Sequence, residues 1–244
     1  MTSAIEGEPL TGRPGVYALA RRYVLAASQA RQLDRLLTAL AAEPDPPTSI
    51  RDPARARDLH VADSLSGLEV PALRTAGRIA DLGAGAGFPG LPLAIALPDA
   101  QVDLVESAAR KGAVIDRLIA AAAIENARRI TARAETWATG EGHEAYAAVT
   151  ARALAPLAVL CEYAAPLLCA GGVLVAWKGA RESGEERAGA QAAAAVALEP
   201  VEVRAVTPFA TARSRHLHVF RKTGPTPPRF PRRPGVAVKR PLGA

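Results

Sequence analysis

The sequence predicts an α/β fold in which a mostly parallel, seven-stranded sheet follows an N-terminal cap of helices. Three observations predict this fold: helical segments come first, short apolar runs then alternate with further helices, and a glycine-rich turn follows the first such run. Strands separated by helices form parallel sheets. A glycine turn at the end of the first strand is typical of Rossmann-like folds, which bind their ligand at the carboxyl edge of the sheet.

The N-terminal cap is predicted to contain two helices. From Val16 to Ala42, apolar residues recur every three or four positions, as in an amphipathic helix, and Pro44–Pro47 ends the pattern. Asp52-Pro53 is a helix start and predicts a second helix to about Leu68. We therefore expect the helical cap to occupy residues 1–70.

The sheet and its helices are predicted to occupy residues 71–222. The expected elements are strand 78–82, helix 91–97, strand 101–105, helix 108–123, strand 128–132, a short helix, strand 146–151, helix 154–168 and strand 172–177. The runs Val201–Val206 and His216–Arg221 then fit a closing antiparallel hairpin. Residues 223–244 form a basic, Pro-rich C-terminal tail.

Charge is distributed unevenly along the 244 residues. Residues 1–202 hold 20 Lys and Arg against 24 Asp and Glu, whereas residues 203–244 hold 10 Lys and Arg and no acid. Such a cationic block attracts polyanions by releasing their counterions, which indicates a nucleic acid partner. The tail is too rich in proline for regular structure, so we expect it to be extended or disordered, with Phe230 free to stack on a base. A solvated solubility tail is the alternative.

Composition predicts a cytoplasmic protein without a membrane partner. Hydrophobic residues make up 49% of the chain and aromatic residues 4%, which predicts a large core of Ala, Leu and Val. Cys161 and Cys169 fit neither a metal site nor a redox pair, so no metal is expected. No apolar run is long enough to span a membrane, and the N-terminus lacks the pattern of a signal peptide. The absence of a long exposed apolar heptad pattern predicts a monomer.

The glycine-rich turn Asp81–Gly90 fits two classes of cofactor. Its last three glycines match the G-x-G-x-x-G pattern of NAD enzymes, whereas Asp81 and the first three match the loop of S-adenosylmethionine (SAM) enzymes. A carboxylate suits the ammonium group of SAM and repels a pyrophosphate, so SAM is favoured. Glu106 ends the next strand, where an acid accepts hydrogen bonds from ribose hydroxyls in either class. Capping of exposed strand ends is the alternative role for both acids.

Four blocks of the sequence resemble the RsmG (GidB) family of 16S ribosomal RNA methyltransferases. They are Thr48–Asp52 with His60–Leu65, Ile79–Pro92, Arg152–Leu157, and Trp177–Gly179 with Arg215–Leu217. The Phe-Pro-Gly-Leu-Pro sequence after the glycine loop is more restrictive than the glycines. The resemblance spans about residues 16–222. It implies a Rossmann-like, SAM-dependent methyltransferase that methylates N7 of a guanine in 16S ribosomal RNA.

The resemblance also implies which residues form the site. Cofactor contacts are implied at Gly83, Gly85, Phe88, Glu106, Ala134, Glu135 and Arg152. Contacts with RNA phosphates are expected at Lys178, Arg215, Arg232 and Arg233. Arg152 pairs with the SAM carboxylate or an RNA phosphate in this interpretation, and Glu135 is its alternative, structural partner. Leu59 replaces an Arg that often precedes His60 in the family, so we expect His60 to be a packed helix residue.

Methylation of guanine N7 suits a sequence without a recognisable catalytic acid–base pair. N7 carries a bare lone pair, so methyl transfer needs alignment and an apolar surround and requires no general base. Neither cysteine has the setting of a cytosine-C5 enzyme, and Thr150–Leu154 lacks the Pro-Pro-Tyr-like turn of exocyclic-amine enzymes. An NAD-dependent oxidoreductase, a small-molecule methyltransferase and a non-catalytic RNA-binding module remain the alternative functions.

Overall fold

One seven-stranded sheet forms the centre of the computed structural model, which describes residues 14–50 and 52–243. Its strands are β1 (Arg78–Leu82), β2 (Gln101–Val105), β3 (Ala127–Ile130), β4 (Tyr146–Arg152), β5 (Leu168–Lys178), β6 (Leu198–Val206) and β7 (Arg215–Lys222). They lie in the order β3-β2-β1-β4-β5-β7-β6. The first five strands are parallel, and β7 runs antiparallel to both β5 and β6. The predicted α/β fold with a mostly parallel, seven-stranded sheet is confirmed.

Helices cover both faces of the sheet. They are α1 (Pro14–Arg22), α2 (Ala27–Ala42), α3 (Pro53–Ala56), α4 (Asp63–Leu65), α5 (Pro71–Arg74), α6 (Gly90–Ala96), α7 (Ala109–Ala122), α8 (Ala134–Trp137), α9 (Leu157–Ala164), α10 (Ser183–Ala195) and α11 (Val236–Lys239). Successive side chains of a strand point to opposite faces, so Ile79 joins the apolar cluster under α2, α6 and α7, whereas Leu82 joins the cluster under α9 and α10. The result is the three-layer arrangement typical of parallel sheets.

The first predicted helix, Val16–Ala42, is in fact two helices. α1 ends at Arg22, and Val24 then adopts the left-handed conformation with φ of +58°. The Leu25 amide donates to the Ala20 carbonyl at 2.8 Å, as in a Schellman motif that closes a helix. Glycine usually occupies the left-handed position of this motif. Valine there leaves no sequence signal for the break, so the prediction of one helix was wrong.

The second predicted helix of the cap is present, and its geometry changes along its length. α3 is followed by a π-helical segment, Arg57–Ala62, then by α4 and the 3₁₀ segment Ser66–Glu69. Asp52 starts it by accepting a hydrogen bond from the Arg55 amide at 2.7 Å. π-helical segments occur frequently at functional sites, and this one contains His60.

The basic tail is folded onto the core, contrary to the prediction of an extended or disordered segment. Phe230 is only 7% exposed, so it is not free to stack on a base, and α11 lies near the end of the tail.

The helix predicted at 154–168 is shorter in the structure. It starts after Pro156 as α9, because Ala153 turns the chain with φ of +53°. Helix α10 was not predicted.

Some predictions fall outside the described residues. These are the first 13 residues of the cap with the expected absence of a signal peptide, Arg51 of the Thr48–Asp52 block, and the last residue, Ala244. Within the two described ranges, no helix combines the length and apolarity needed to cross a lipid bilayer.

Candidate active site

Of the clefts at the carboxyl edge of the sheet, the two that contain most of the predicted site residues share Ala153 in their walls. β1 lies between β2 and β4, at the point where the strand order reverses, which is where open α/β sheets bind ligands. We call the first the glycine-loop cleft; it has a volume of about 400 Å³ and is lined by Gly83, Val105, Glu106, Ser107, Lys111, Ala132, Arg133, Ala134, Glu135, Ala153, Leu154 and Tyr163. The second, the cap cleft, has a volume of about 460 Å³ and is lined by Ile50, Leu59, His60, Asp63, Arg152, Ala153, Trp177, Lys178, Gly179, Val206, Arg215 and His216.

Gly83 begins the loop that forms the floor of the glycine-loop cleft. Its φ of +62° is a left-handed conformation that side chains disfavour. A Cβ atom at this position would lie 2.5 Å from Cδ1 of Leu154, far inside van der Waals contact. Glycine therefore permits both the turn and the close packing of Leu154 against it, and it places no side chain of its own between the backbone and the cleft.

Asp81 is fully buried and supports the loop from below. One carboxylate oxygen accepts from the Gly90 amide at 2.8 Å and the other from the Thr150 hydroxyl at 2.9 Å. Burial raises the pKa of Asp81 to about 7, against the lowering effect of these hydrogen bonds. The expectation that Asp81 faces an ammonium group of the cofactor was wrong, because its carboxylate binds the start of α6 inside the protein.

Replacing Asp81 with asparagine should change how stability depends on pH. The raised pKa means that folded protein holds this proton up to about pH 7, whereas the unfolded chain releases it near pH 4, at about its ordinary pKa. The proton therefore stabilises the folded state at low pH, and this contribution is lost as pH rises from about 4 to about 7. Asparagine has no titratable proton, so the variant lacks this pH dependence. The difference in free energy of unfolding between wild type and Asp81→Asn should therefore shift against wild type as pH rises across that window. Urea unfolding below, within and above the window measures it, and a constant difference would contradict the raised pKa.

Glu106 links the end of β2 to the glycine loop. Its two carboxylate oxygens accept from the Gly85 amide at 3.0 Å and the Ala108 amide at 2.8 Å. The side chain is 6% exposed and lies in the cleft wall. A carboxylate fixed by two amides keeps further lone pairs for hydroxyl donors, so Glu106 can hold a ribose there.

Glu135 and Tyr163 also line the glycine-loop cleft. Glu135 belongs to α8 and is 5% exposed, and its Oε1 accepts from the Gly235 amide of the tail at 2.9 Å. The pKa of Tyr163 is raised by burial and then by the negative charges of Glu135 and Glu162. Sequence reasoning missed Tyr163, which carries no local motif.

Arg152 lies in the wall of the cap cleft and binds the helical cap. Its Nη1 donates to Oδ2 of Asp63 and to the Leu59 carbonyl, both at 2.9 Å. Nε of Arg215 lies 3.7 Å from the other oxygen of Asp63. Asp63 is thus the structural partner of Arg152, in place of the alternative partner Glu135, and sequence reasoning missed it because the two residues are 89 positions apart.

His60 and Phe88 pack together beside the cap cleft. Their ring centroids are 4.6 Å apart with planes 18° from parallel, and Cζ of Arg152 lies 5.9 Å from the Phe88 centroid. Burial, helped by the Arg152 charge, lowers the pKa of His60 to about 4, so this imidazole is neutral at pH 7. His60 is a packed helix residue, as the sequence predicted.

The structure divides the predicted cofactor residues between the two clefts. Four of them line the glycine-loop cleft, namely Gly83, Glu106, Ala134 and Glu135. Gly85 adjoins it through its hydrogen bond to Glu106. Arg152 lines the cap cleft, and Phe88 packs behind its wall against His60 and Arg152. Among the predicted RNA contacts, Lys178 and Arg215 line the cap cleft and Arg233 is exposed on the tail. Arg232 is instead paired with Glu162.

The donor set of the glycine-loop cleft fits a nucleoside that carries an amino acid. Its floor is a glycine that contributes no side chain, and the buried carboxylates of Glu106 and Glu135 both line it. In the part of the chain that the structure describes, no group of three or more His, Cys, Asp or Glu side chains could hold a metal ion.

Comparisons with known proteins agree on one family. The family model GidB, described as rRNA small subunit methyltransferase G, matches residues 32–218. The chain is 40% identical over 196 residues to Ribosomal RNA small subunit methyltransferase G of Rubrobacter xylanophilus, covering 79% of this chain and 75% of that protein. It is 43% identical over 187 residues to the protein of the same name from Pelotomaculum thermopropionicum, covering 75% and 77%.

A solved structure supports the fold independently. The chain superposes on a SAM-dependent O-methyltransferase from Thermotoga maritima with a TM-score of 0.53 and 13% identity, over 79% of this chain and 72% of that one. At such low identity, the likeness concerns the Rossmann-like fold alone.

Proposed function

Since the chain belongs to the family of ribosomal RNA small subunit methyltransferase G proteins, we propose that it transfers a methyl group from SAM to N7 of one guanine in 16S ribosomal RNA. SAM-dependent methylation of small-subunit ribosomal RNA comes with the family. The atom that is methylated and the residues that perform the reaction are our proposal.

The observation that carries the proposal is the meeting of two chemically different clefts at Ala153. In the glycine-loop cleft, the Gly83 backbone would hold the amino-acid end of the cofactor, Glu106 the ribose, and the Ala134–Glu135 segment the adenine. Bound SAM supplies a methyl group on a positively charged sulfur. The cap cleft, with the Trp177 ring and several cations in its wall, suits a nucleotide.

The cap cleft suits a reaction that removes no proton. His60 is neutral but packed, with its Nε2 3.0 Å from the Thr48 hydroxyl, and Asp63 is held by Arg152. Neither His60 nor Asp63 is therefore arranged as a general base, and the other imidazole of the cleft wall, His216, has its Nδ1 2.8 Å from the Gly179 carbonyl. Guanine N7 needs none, because its lone pair is already free to attack. Neither cysteine lines either cleft, and burial in α9 also raises the pKa of Cys161.

RNA would approach along the cations at the mouth of the cap cleft. Arg215 is about one-third exposed there, and Lys178 pairs with Glu185 at 2.5 Å on the neighbouring helix. The exposed Arg233 extends the basic surface along the tail. We propose that the monomer acts on the RNA or on the small subunit.

Arg215→Ala should weaken RNA binding and reduce its dependence on salt. Each lost phosphate contact removes about one released counterion, so the slope of log affinity against log salt should decrease by roughly one. Filter binding with a small-subunit RNA fragment over a salt series measures this. Arg31→Ala is the matched control, because Arg31 is an exposed cation of α2 that lines neither cleft. Equal salt slopes for the two variants would contradict the phosphate contact.

The proposed function is tested by mapping modified guanines in small-subunit RNA by mass spectrometry. RNA from cells that lack the protein should be missing one N7-methylguanine, and wild-type protein with SAM should restore it in extracted RNA or subunits. An unchanged set of modified guanines would remove the substrate assignment. Methyl transfer to small metabolites alone would favour the small-molecule alternative.

A further inference from the structure

The C-terminal segment, residues 223–243, lies beyond the family match, which ends at residue 218, yet it is packed against the catalytic core. Phe230 is 7% exposed and Ala237 is 1% exposed, and both join the apolar cluster around α9. The buried Lys222, the last residue of β7, donates to the Thr226 hydroxyl of the segment and to the Ala165 carbonyl. This burial and bonding indicate a fixed part of the fold.

Two buried carboxylates of the core take hydrogen-bond partners from this segment. Glu162 of α9 is 1% exposed, and both of its oxygens accept from the Arg232 guanidinium, with Nε 2.6 Å from Oε1. Glu135 of α8 accepts from the Gly235 amide at 2.9 Å. A folded protein is strongly destabilised when a buried carboxylate loses its partner. The segment therefore satisfies groups that the core alone would leave poorly compensated.

The two contacts meet at one wall of the glycine-loop cleft. Tyr163 lines this cleft together with Glu135, and its pKa is raised by burial and by the charges of both Glu135 and Glu162. The negative charge of Glu135 is thus close enough to the Tyr163 hydroxyl to raise its pKa, while its Oε1 accepts from the Gly235 amide.

We propose that Arg232 and Gly235 are positioning residues of the cofactor site. Arg232 anchors the segment to Glu162, and the anchored Gly235 amide fixes the Glu135 carboxylate in the cleft. A carboxylate fixed in advance loses less conformational freedom when a ligand binds, which raises affinity. The inference rests on the proposed function, in which Glu135 contacts the adenine of SAM. It replaces the expected role of Arg232 as a phosphate contact.

The test measures SAM affinity by calorimetry without RNA, then steady-state kinetics with RNA. Arg232→Ala should weaken SAM binding roughly tenfold and raise KM for SAM, while kcat at saturating SAM and KM for RNA stay close to wild type. Arg232→Lys should restore part of the affinity, because it keeps the charge but loses the two-pronged contact. Arg233→Ala is the matched control: this exposed neighbour should raise KM for RNA and leave SAM affinity unchanged.

Coupling to Glu135 separates positioning from general stability. If Arg232 acts through Glu135, the loss of SAM affinity caused by Arg232→Ala should be smaller in the Glu135→Gln background than in the wild-type background. The proposal would be overturned if the two substitutions reduced SAM affinity by independent factors that multiply in the double variant. It would also be overturned if a folded Arg232→Ala protein bound SAM as tightly as wild type. Should Arg232→Ala fail to fold, Glu162→Gln weakens the same anchor without leaving a buried unpaired charge, and it should also weaken SAM binding. Failure of wild type itself to bind SAM would reject the proposed function, a result distinct from failure of this inference.

Discussion

Replacing Gly83 with valine should abolish measurable SAM binding while the protein stays folded. A β-branched residue at φ of +62° costs roughly 1–2 kcal/mol, and its Cβ would meet Leu154 at 2.5 Å. Leu154 is 39% exposed and can swing aside, so the fold should tolerate the change. The added methyl groups and the displaced Leu154 would, however, crowd the glycine-loop cleft, which both residues line. Calorimetric titration with SAM, accompanied by thermal unfolding, measures both effects.

Gly77→Ala is the matched control for this experiment. Gly77 directly precedes β1, and a Cβ atom there would meet no atom within 4 Å. We expect this variant to bind SAM as tightly as wild type. If Gly83→Val also bound SAM normally, the glycine-loop cleft would not be the cofactor site, and the reaction would have to be placed elsewhere.

Asp63→Ala should destabilise the protein by about 3–5 kcal/mol, the typical cost of removing one partner from a buried ion pair. The Arg152 side chain is only 15% exposed. In the variant its guanidinium would keep the Leu59 carbonyl as an acceptor but would lose the Asp63 carboxylate. The cap would also lose its charged link to β4. Urea unfolding gives the change in free energy, and methyl transfer to RNA should fall because the cap cleft loses its shape.

A double variant distinguishes these two consequences. Asp63→Leu combined with Arg152→Met removes both charges, so most of the stability should return. RNA methylation should nevertheless be low, because the double variant removes Arg152 from the wall of the cap cleft. A double variant as unstable as Asp63→Ala would show that the cost does not come from an unpaired guanidinium.

Sequence reasoning succeeded where the signal is local. β2 lies at the predicted positions 101–105, and the glycine loop follows β1 as expected, because apolar runs and glycines mark these elements directly. It failed where a residue type departs from its usual role, as with Val24, which turns the chain between α1 and α2. Spacing alone also could not tell whether Asp81 points into the cleft or beneath the loop.

The long-range contacts of the site could not be predicted from one sequence. Arg152 and Asp63 are separated by 89 positions, Arg232 and Glu162 by 70, and Gly235 and Glu135 by 100. The tail looked disordered because its composition is rich in proline and cations. Its order comes from partners in α8 and α9, which local composition does not reveal.

The shared position of Ala153 couples the dimensions of the two clefts. A larger side chain there would narrow both compartments together, so neither could be resized independently at this residue. Its φ of +53° further disfavours β-branched replacements. A change that enlarges the cap cleft for a bulkier base would therefore have to occur in the cap helices, while the residue at position 153 stays small.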